Sequence, residues 1–262
     1  MDDGWWGNYE LDIGERARWR IGPLQLYVER RRAEWIVHSL SSDDSRDALC
    51  EIEVPTRSPL PDCVESHRFV QRATGGRVTL SGRLADRPVV IKPAIPLSVP
   101  GGEEVTLYVG SPVWVQVAVG DPPVHLLEIP SHRASDTWVG PNTREGEACY
   151  GSRTLAQVDF ADCTIRPHRA ITEVEVRNKA ADTLVIEQIQ LPAPLLALYG
   201  GNGGVLWTQS MTLTRDHREH AARLTIGPAA PTTGGALHRI GEPRKAVEGN
   251  MIAQVFNRLW NF

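Results

Sequence analysis

The chain has 262 residues, 41% of them hydrophobic and 23% charged, with a formal net charge of −4 at neutral pH. That balance excludes a disordered chain and gives no footing for broad nucleic-acid binding, which runs on an excess of Lys and Arg. The best apolar run, Val113 to Val119, is strand-length and well short of the ~18 residues of a membrane span, and Met1-Asp-Asp-Gly-Trp-Trp-Gly7 lacks the apolar core of a secretory signal. A cytoplasmic protein with no membrane span is therefore expected.

From the N-terminus, period-two alternation dominates. Tyr9, Leu11 and Ile13 alternate with polar residues, and Leu24, Leu26 and Val28 stand opposite Gln25, Tyr27 and Glu29. Strands are predicted over 35–40, 50–54, 78–80, 89–91 and 105–109. Val113, Val115, Val117 and Val119 form the cleanest stripe, with Trp114 and Gln116 on the other face. The joints are Gly/Pro breakers, and 23 Gly with 19 Pro suit a turn-rich β protein. Gly120-Asp-Pro-Pro123 interrupts two strands and sets a soft boundary, giving units 1–122 and 123–241 and a tail 242–262.

A long polar connector, 130–150, follows. It holds Asp136, Trp138, Asn142, Arg144, Glu145 and Glu147, which could converge on a ligand: a Trp face stacks on a ring while Arg and carboxylates orient it. Two of its carboxylates could also share acid and base work on a glycosidic bond. The same residues can instead close local turns, with Asp and Asn accepting from backbone amides and Arg144 pairing with a Glu.

Strand patterning resumes over 171–178, a turn over 179–182 and a return over 183–191, then 206–213 and 224–226. Gly200-Gly-Asn-Gly-Gly204 lacks the Lys and Ser/Thr of a phosphate loop and reads as a hairpin. Arg166-Pro-His-Arg169 and Arg30-Arg-Arg32 are short basic clusters that could meet an acidic partner or a phosphate, or else be solvated turns. Asp216-His217-Arg218-Glu219-His220, with His132, is the best arrangement for a metal, but Arg218 opposes a cation and the segment reads as a hairpin tip. No metal or cofactor is assigned. Cys50, Cys63, Cys149 and Cys163 form no Cys-x-x-Cys pair and are expected as reduced thiols, though the spacing also allows Cys50/Cys63 and Cys149/Cys163 bridges. Nucleophilic use of Cys149 would need a neighbouring His.

At the end the period changes. Met251, Ile252, Val255, Phe256, Leu259 and Trp260 recur at helical spacing after a Gly249-Asn250 cap. The expected fold is all-β: two packed β-sandwich halves, jelly-roll or immunoglobulin-like, with a C-terminal amphipathic helix. Met251, Val255, Phe256, Leu259 and Trp260 would then form a face for self-association or for a protein partner.

Three places carry a resemblance: Gly22-Pro-Leu-Gln-Leu-Tyr-Val-Glu-Arg30 with Glu34-Trp35, Ser111-Pro-Val-Trp-Val115, and Ser135-Asp-Thr-Trp-Val-Gly140 with Gly146-Glu-Ala-Cys-Tyr150. On these the chain resembles the prokaryotic family known as domain of unknown function 432, with the whole chain as the family unit. The resemblance implies no activity and no site residues. It does imply a genomic neighbourhood of small mechanosensitive-channel-type membrane proteins. The leading functional expectation is a soluble protein-interaction or ligand-binding module without evident catalysis. The alternatives are a carbohydrate-active hydrolase using the loop carboxylates, and a cytosolic accessory to such a channel docked through the terminal helix.

Overall fold

The computed structural model describes residues 4–71, 75–132, 134–140, 142, 144–154, 156–216, 222–246 and 253–255. The fold is all-β, in several sheets, and the helical turns among the described residues are short 3-10 pieces. The N-terminal sheet runs Cys50–Glu53, Arg16–Ile21, Leu24–Arg30, Glu34–Ser41, Glu65–Val70, antiparallel throughout. Its alternation is cashed in as cross-strand pairs: Ala17 faces Val28, Trp19 faces Leu26 and Ile21 faces Leu24, all fully buried. Such pairs, one apolar face against another layer, stabilise a sheet.

The rest is organised by one long strand, Glu104–Val119. Its second half, bearing the buried Val113/Val115/Val117/Val119 stripe, lies between Arg77–Leu84 and Val124–Pro130. Its first half pairs with Arg169–Asn178. The partners change at Gly110-Ser111-Pro112, where Pro112 has no N–H to give a ladder. Strands on both sides of the Gly120–Pro123 turn pair directly with each other. A four-stranded sheet, Ser135–Val139, Glu147–Thr154, Val89–Pro93, Ile189–Leu191, and the pair Leu97–Val99 with Leu184–Ile186 complete the architecture. One apolar cluster runs through it, with Trp5, Trp19 and Trp35 fully buried.

Four expectations change. The strand predicted over 9–13 stops at Glu10, because Asp12–Glu15 closes a turn through Gly14 at φ 92°, leaving Ile13 exposed. The returns predicted over 183–191 and 206–213 are each two strands, broken at 187–188 and 209–210. The connector 130–150 contains a β-hairpin, Ser135–Val139 against Glu147–Thr154, since Thr137, Trp138, Val139, Cys149 and Tyr150 suit a pleated surface. Of the segment expected as a terminal helix, the described residues Ala253–Val255 form a strand on the edge of Ala222–Ile226, whose free backbone groups they satisfy. Met251, Ile252, Phe256, Leu259 and Trp260 lie outside the described residues.

The predicted turn after Asn178 is tied by that residue. Its buried side-chain amide lies 2.9 Å from the Val99 carbonyl, 3.1 Å from that of Pro100 and 2.8 Å from that of Asp182. Asn178→Ala leaves these buried carbonyls short of a donor and is expected to cost about 2–4 kcal/mol in urea unfolding.

Candidate functional site

The connector's polar groups mostly serve one another. Asn142 accepts through Oδ1 from the N–H groups of Arg144 and Glu145, both at 2.8 Å, and donates to the Glu145 carboxylate at 3.1 Å. The Trp138 indole donates to the Asn142 carbonyl at 3.0 Å, and Gly146 packs so closely on that indole that a Cβ there would lie 2.6 Å from Nε1. Glu147 accepts from Gln190 at 3.1 Å, and Asp136 accepts from Arg87 at 3.2 Å. The three carboxylates thus accept from three different partners, Asn142, Gln190 and Arg87.

Asp136 alone of the six reaches a cleft, about 850 Å³, floored by Trp114 and Tyr150 with ring centres 5.5 Å apart. Arg87 stacks 5.3 Å over Tyr150, whose hydroxyl donates to Asp86. Arg244 reaches in to pair with Glu128 and donates to the Leu84 carbonyl at 2.7 Å. The charges of this cleft are largely paired off.

The other candidates are dispersed. Arg30 and Arg31 are structural: Arg30 donates to the Leu11 carbonyl and Arg31 pairs with Glu29 and Glu34. His217, Glu219 and His220 lie outside the described residues, among which no group of three His, Cys, Asp or Glu side chains could hold a metal. All four cysteines are free. Cys149 is buried, and burial, with Glu147 beside it, pushes its thiol up to about 11, the reverse of nucleophile activation. Of the proposed partner face, Val255 ends the terminal strand, and Met251, Phe256, Leu259 and Trp260 are outside the described residues.

The basic cluster Arg166-Pro-His-Arg169 is not a solvated turn. It enters the strand Arg169–Asn178 at a seam between sheets and is gripped along its length. The Trp5 indole donates to the Pro167 carbonyl at 2.8 Å. The His168 carbonyl accepts from Val113 N–H at 3.1 Å and from the Ser131 hydroxyl at 3.2 Å. Arg166 donates to the Ser45 carbonyl at 3.0 Å, the atom that also meets His168 Nε2. Arg169 donates to the Gly110 carbonyl at 2.8 Å and the Ser152 hydroxyl at 2.7 Å.

These contacts hold Arg166 and Arg169 on the wall of a second cavity, about 710 Å³, that also receives Arg46 and Lys92. Tyr108, Val109 and Ile171 supply its apolar side, and among the described residues no carboxylate lines it. Among the described residues neither Arg166 nor Arg169 meets a carboxylate: both donate to neutral oxygens, and the Arg166 Nε–H is buried without a partner. Burial, with Arg166 adjacent, pulls Arg169 down to about 10. Burial, then Arg169 and Arg166, pull the fully buried His168 down to about 3, and His132 is lowered by burial and by Arg169. The sequence signal was the run 163–171, three basic or imidazole groups with no acidic residue. Arg46 and Lys92 come from far along the chain and carried no signal.

In comparisons with known proteins, the family described as "Protein of unknown function (DUF432)" matches residues 5–260. No curated protein matches the chain, and no solved structure does.

His168 makes stability depend on pH in a defined window. Its native pKa of about 3 lies below the ordinary 6.5, so between those values the unfolded chain binds the extra proton and stability falls as pH falls. Between pH 6.5 and 5.5, where the carboxylates are still largely ionised, the loss is expected to reach about 1 kcal/mol. Urea unfolding of His168→Asn across that window is expected to retain only the smaller slope of His38 and His132, which are also lowered by burial.

Proposed function

We propose a binding function for this chain, which belongs to the DUF432 family: it takes a small anionic ligand in the cavity walled by Arg166, Arg169, Arg46 and Lys92. The observation that carries the reading is the pair of half-buried guanidinium groups with no carboxylate among the described residues to neutralise them. Several other half-buried arginines are paired, Arg18 with Glu51 and Glu53, Arg20 with Asp47 and Arg244 with Glu128, while Arg16 and Arg83 donate to the Ser58 and Pro243 carbonyls; Arg166 and Arg169 are two such groups on one cavity wall. Holding cations out of water with neutral partners alone is costly, and an anion in the cavity would offset that cost. Binding rather than turnover is favoured because the nucleophile in the lining, Cys163, is held as a thiol by burial and by Asp162 and Asp159. On this reading units 1–122 and 123–241 are packed β-sandwich halves. The ligand lies where the first contributes Arg46 and Lys92 and the second contributes Arg166 and Arg169.

Inorganic phosphate at constant ionic strength is expected to raise the melting temperature progressively, as any ligand of the native state does. Arg166→Gln, which removes the charge and leaves a polar side chain, should melt within a few degrees of the parent without phosphate yet lose most of the phosphate-dependent rise. An equal rise in the variant would refute the site.

A further inference from the structure

Resting on the anion-site reading, we infer the chemical class of the ligand: a phosphorylated small molecule carrying a flat organic ring, of the nucleoside mono- or diphosphate kind. Charge is the first argument. Arg46 is shared with Asp44 at 3.4 Å on the open side, which leaves Arg166, Arg169 and Lys92 as cations without a carboxylate in the lining. A monocarboxylate would neutralise one of three, whereas a phosphate monoester carries close to two negative charges and a diphosphate more. Guanidinium forks also match tetrahedral phosphate oxygens, and Thr164 and Gln157 add neutral polar groups to the same wall.

Size is the second argument. A cavity of about 710 Å³ falls within the ~300–1,000 Å³ of small-molecule sites and far exceeds what an inorganic anion fills. The remainder is apolar and rigid. Tyr108 lines it, with its backbone doubly hydrogen-bonded to Gln157, N–H to carbonyl at 2.7 and 3.1 Å. Its ring is braced by Phe160, centroids 5.7 Å apart, and Phe160 lies 4.9 Å from Trp207. Neither Phe160 nor Trp207 lines the cavity, so the tyrosine is buttressed from outside it. A fixed aromatic wall beside cations suits a planar ring attached to a phosphate. A nucleic-acid strand is a poorer fit, because the net charge is −4 and these cations sit in one concavity with no aromatic series along a groove.

The test is calorimetric titration of the full chain at fixed ionic strength with inorganic phosphate, ribose 5-phosphate, adenosine, and the four common nucleoside monophosphates with ADP. The inference expects at least one nucleotide to bind tenfold or more tighter than phosphate and ribose 5-phosphate, and adenosine to show no binding. Tyr108→Leu should bring that nucleotide down to the phosphate level while phosphate affinity is unchanged. Lys92→Ala, a change at an exposed side chain, should weaken every phosphorylated probe several-fold; circular dichroism and melting checks that both variants are folded. Phosphate binding with no gain from any nucleotide overturns the ligand class and leaves the anion site standing. So does a ribose 5-phosphate affinity equal to the nucleotide's. Binding by none of the phosphorylated probes overturns both readings.

Discussion

The carbonyl groups of Pro167 and His168 are the points at which the first described residues and the middle of the chain are tied together. Trp5, from the first described residues, donates to one; Val113 and Ser131, from either strand of the central hairpin, donate to the other. The His168 ring closes the arrangement against the N-terminal sheet through the Ser45 carbonyl, and Gly22 passes so near that a Cβ would lie 2.2 Å from Nδ1. Gly22 also has φ 56°, a backbone state that glycine adopts without strain, so backbone conformation and close approach ask for the same residue. A segment held by bonds to its main chain has little freedom in where its side chains start. That is how Arg166 and Arg169, on either side of Pro-His, come to share one wall.

The electrostatic result is a seam of positive charge inside a chain that is acidic overall. The protein neutralises most of its other half-buried cations with carboxylates a strand or two away, as in Arg18 with Glu51 and Glu53 on neighbouring strands. At Arg169 the neighbours are Gly110 and Ser152, which donate no negative charge, and the group's lowered pKa follows from that environment. His168 responds to the same field by staying neutral. Neutrality there is structurally useful, since a third positive charge beside the two guanidiniums would push the seam apart.

Much of the fold was legible because its determinants are local. The alternation at Leu24/Leu26/Val28 and Val113–Val119 needs only a two-residue period and one buried face, and both stripes are buried. The turn after Asn178 was legible for a similar reason: one polar residue at a strand end reaches the Asp182 carbonyl four residues on. What escaped were features set by distant chain. Cys149 and Tyr150 look like connector residues until Val89–Pro93 supplies the parallel neighbour of their strand. Ala253–Val255 fits a helical stripe until the open edge of Ala222–Ile226 offers it backbone partners. The switch of the strand Glu104–Val119 between two sets of neighbours is also invisible locally, apart from the Gly-Ser-Pro at its middle.

The contrast between the polar connector and the basic cavity follows from the same distinction. Asn142, Arg144, Glu145 and Trp138 are rich in chemistry, but their hydrogen bonds close within four residues, so local sequence already satisfies them. A donor satisfied by its own turn has little left with which to hold a ligand. Arg166 and Arg169 sit in a stretch that supplies cations and no counter-charge, and the folded chain brings up Arg46, Lys92 and neutral oxygens instead of a carboxylate. Polar density in a sequence is therefore no measure of which groups are left unsatisfied by the fold. Imbalance is a different signal, a cluster of one sign that neither its own turn nor the other described residues compensate with a carboxylate.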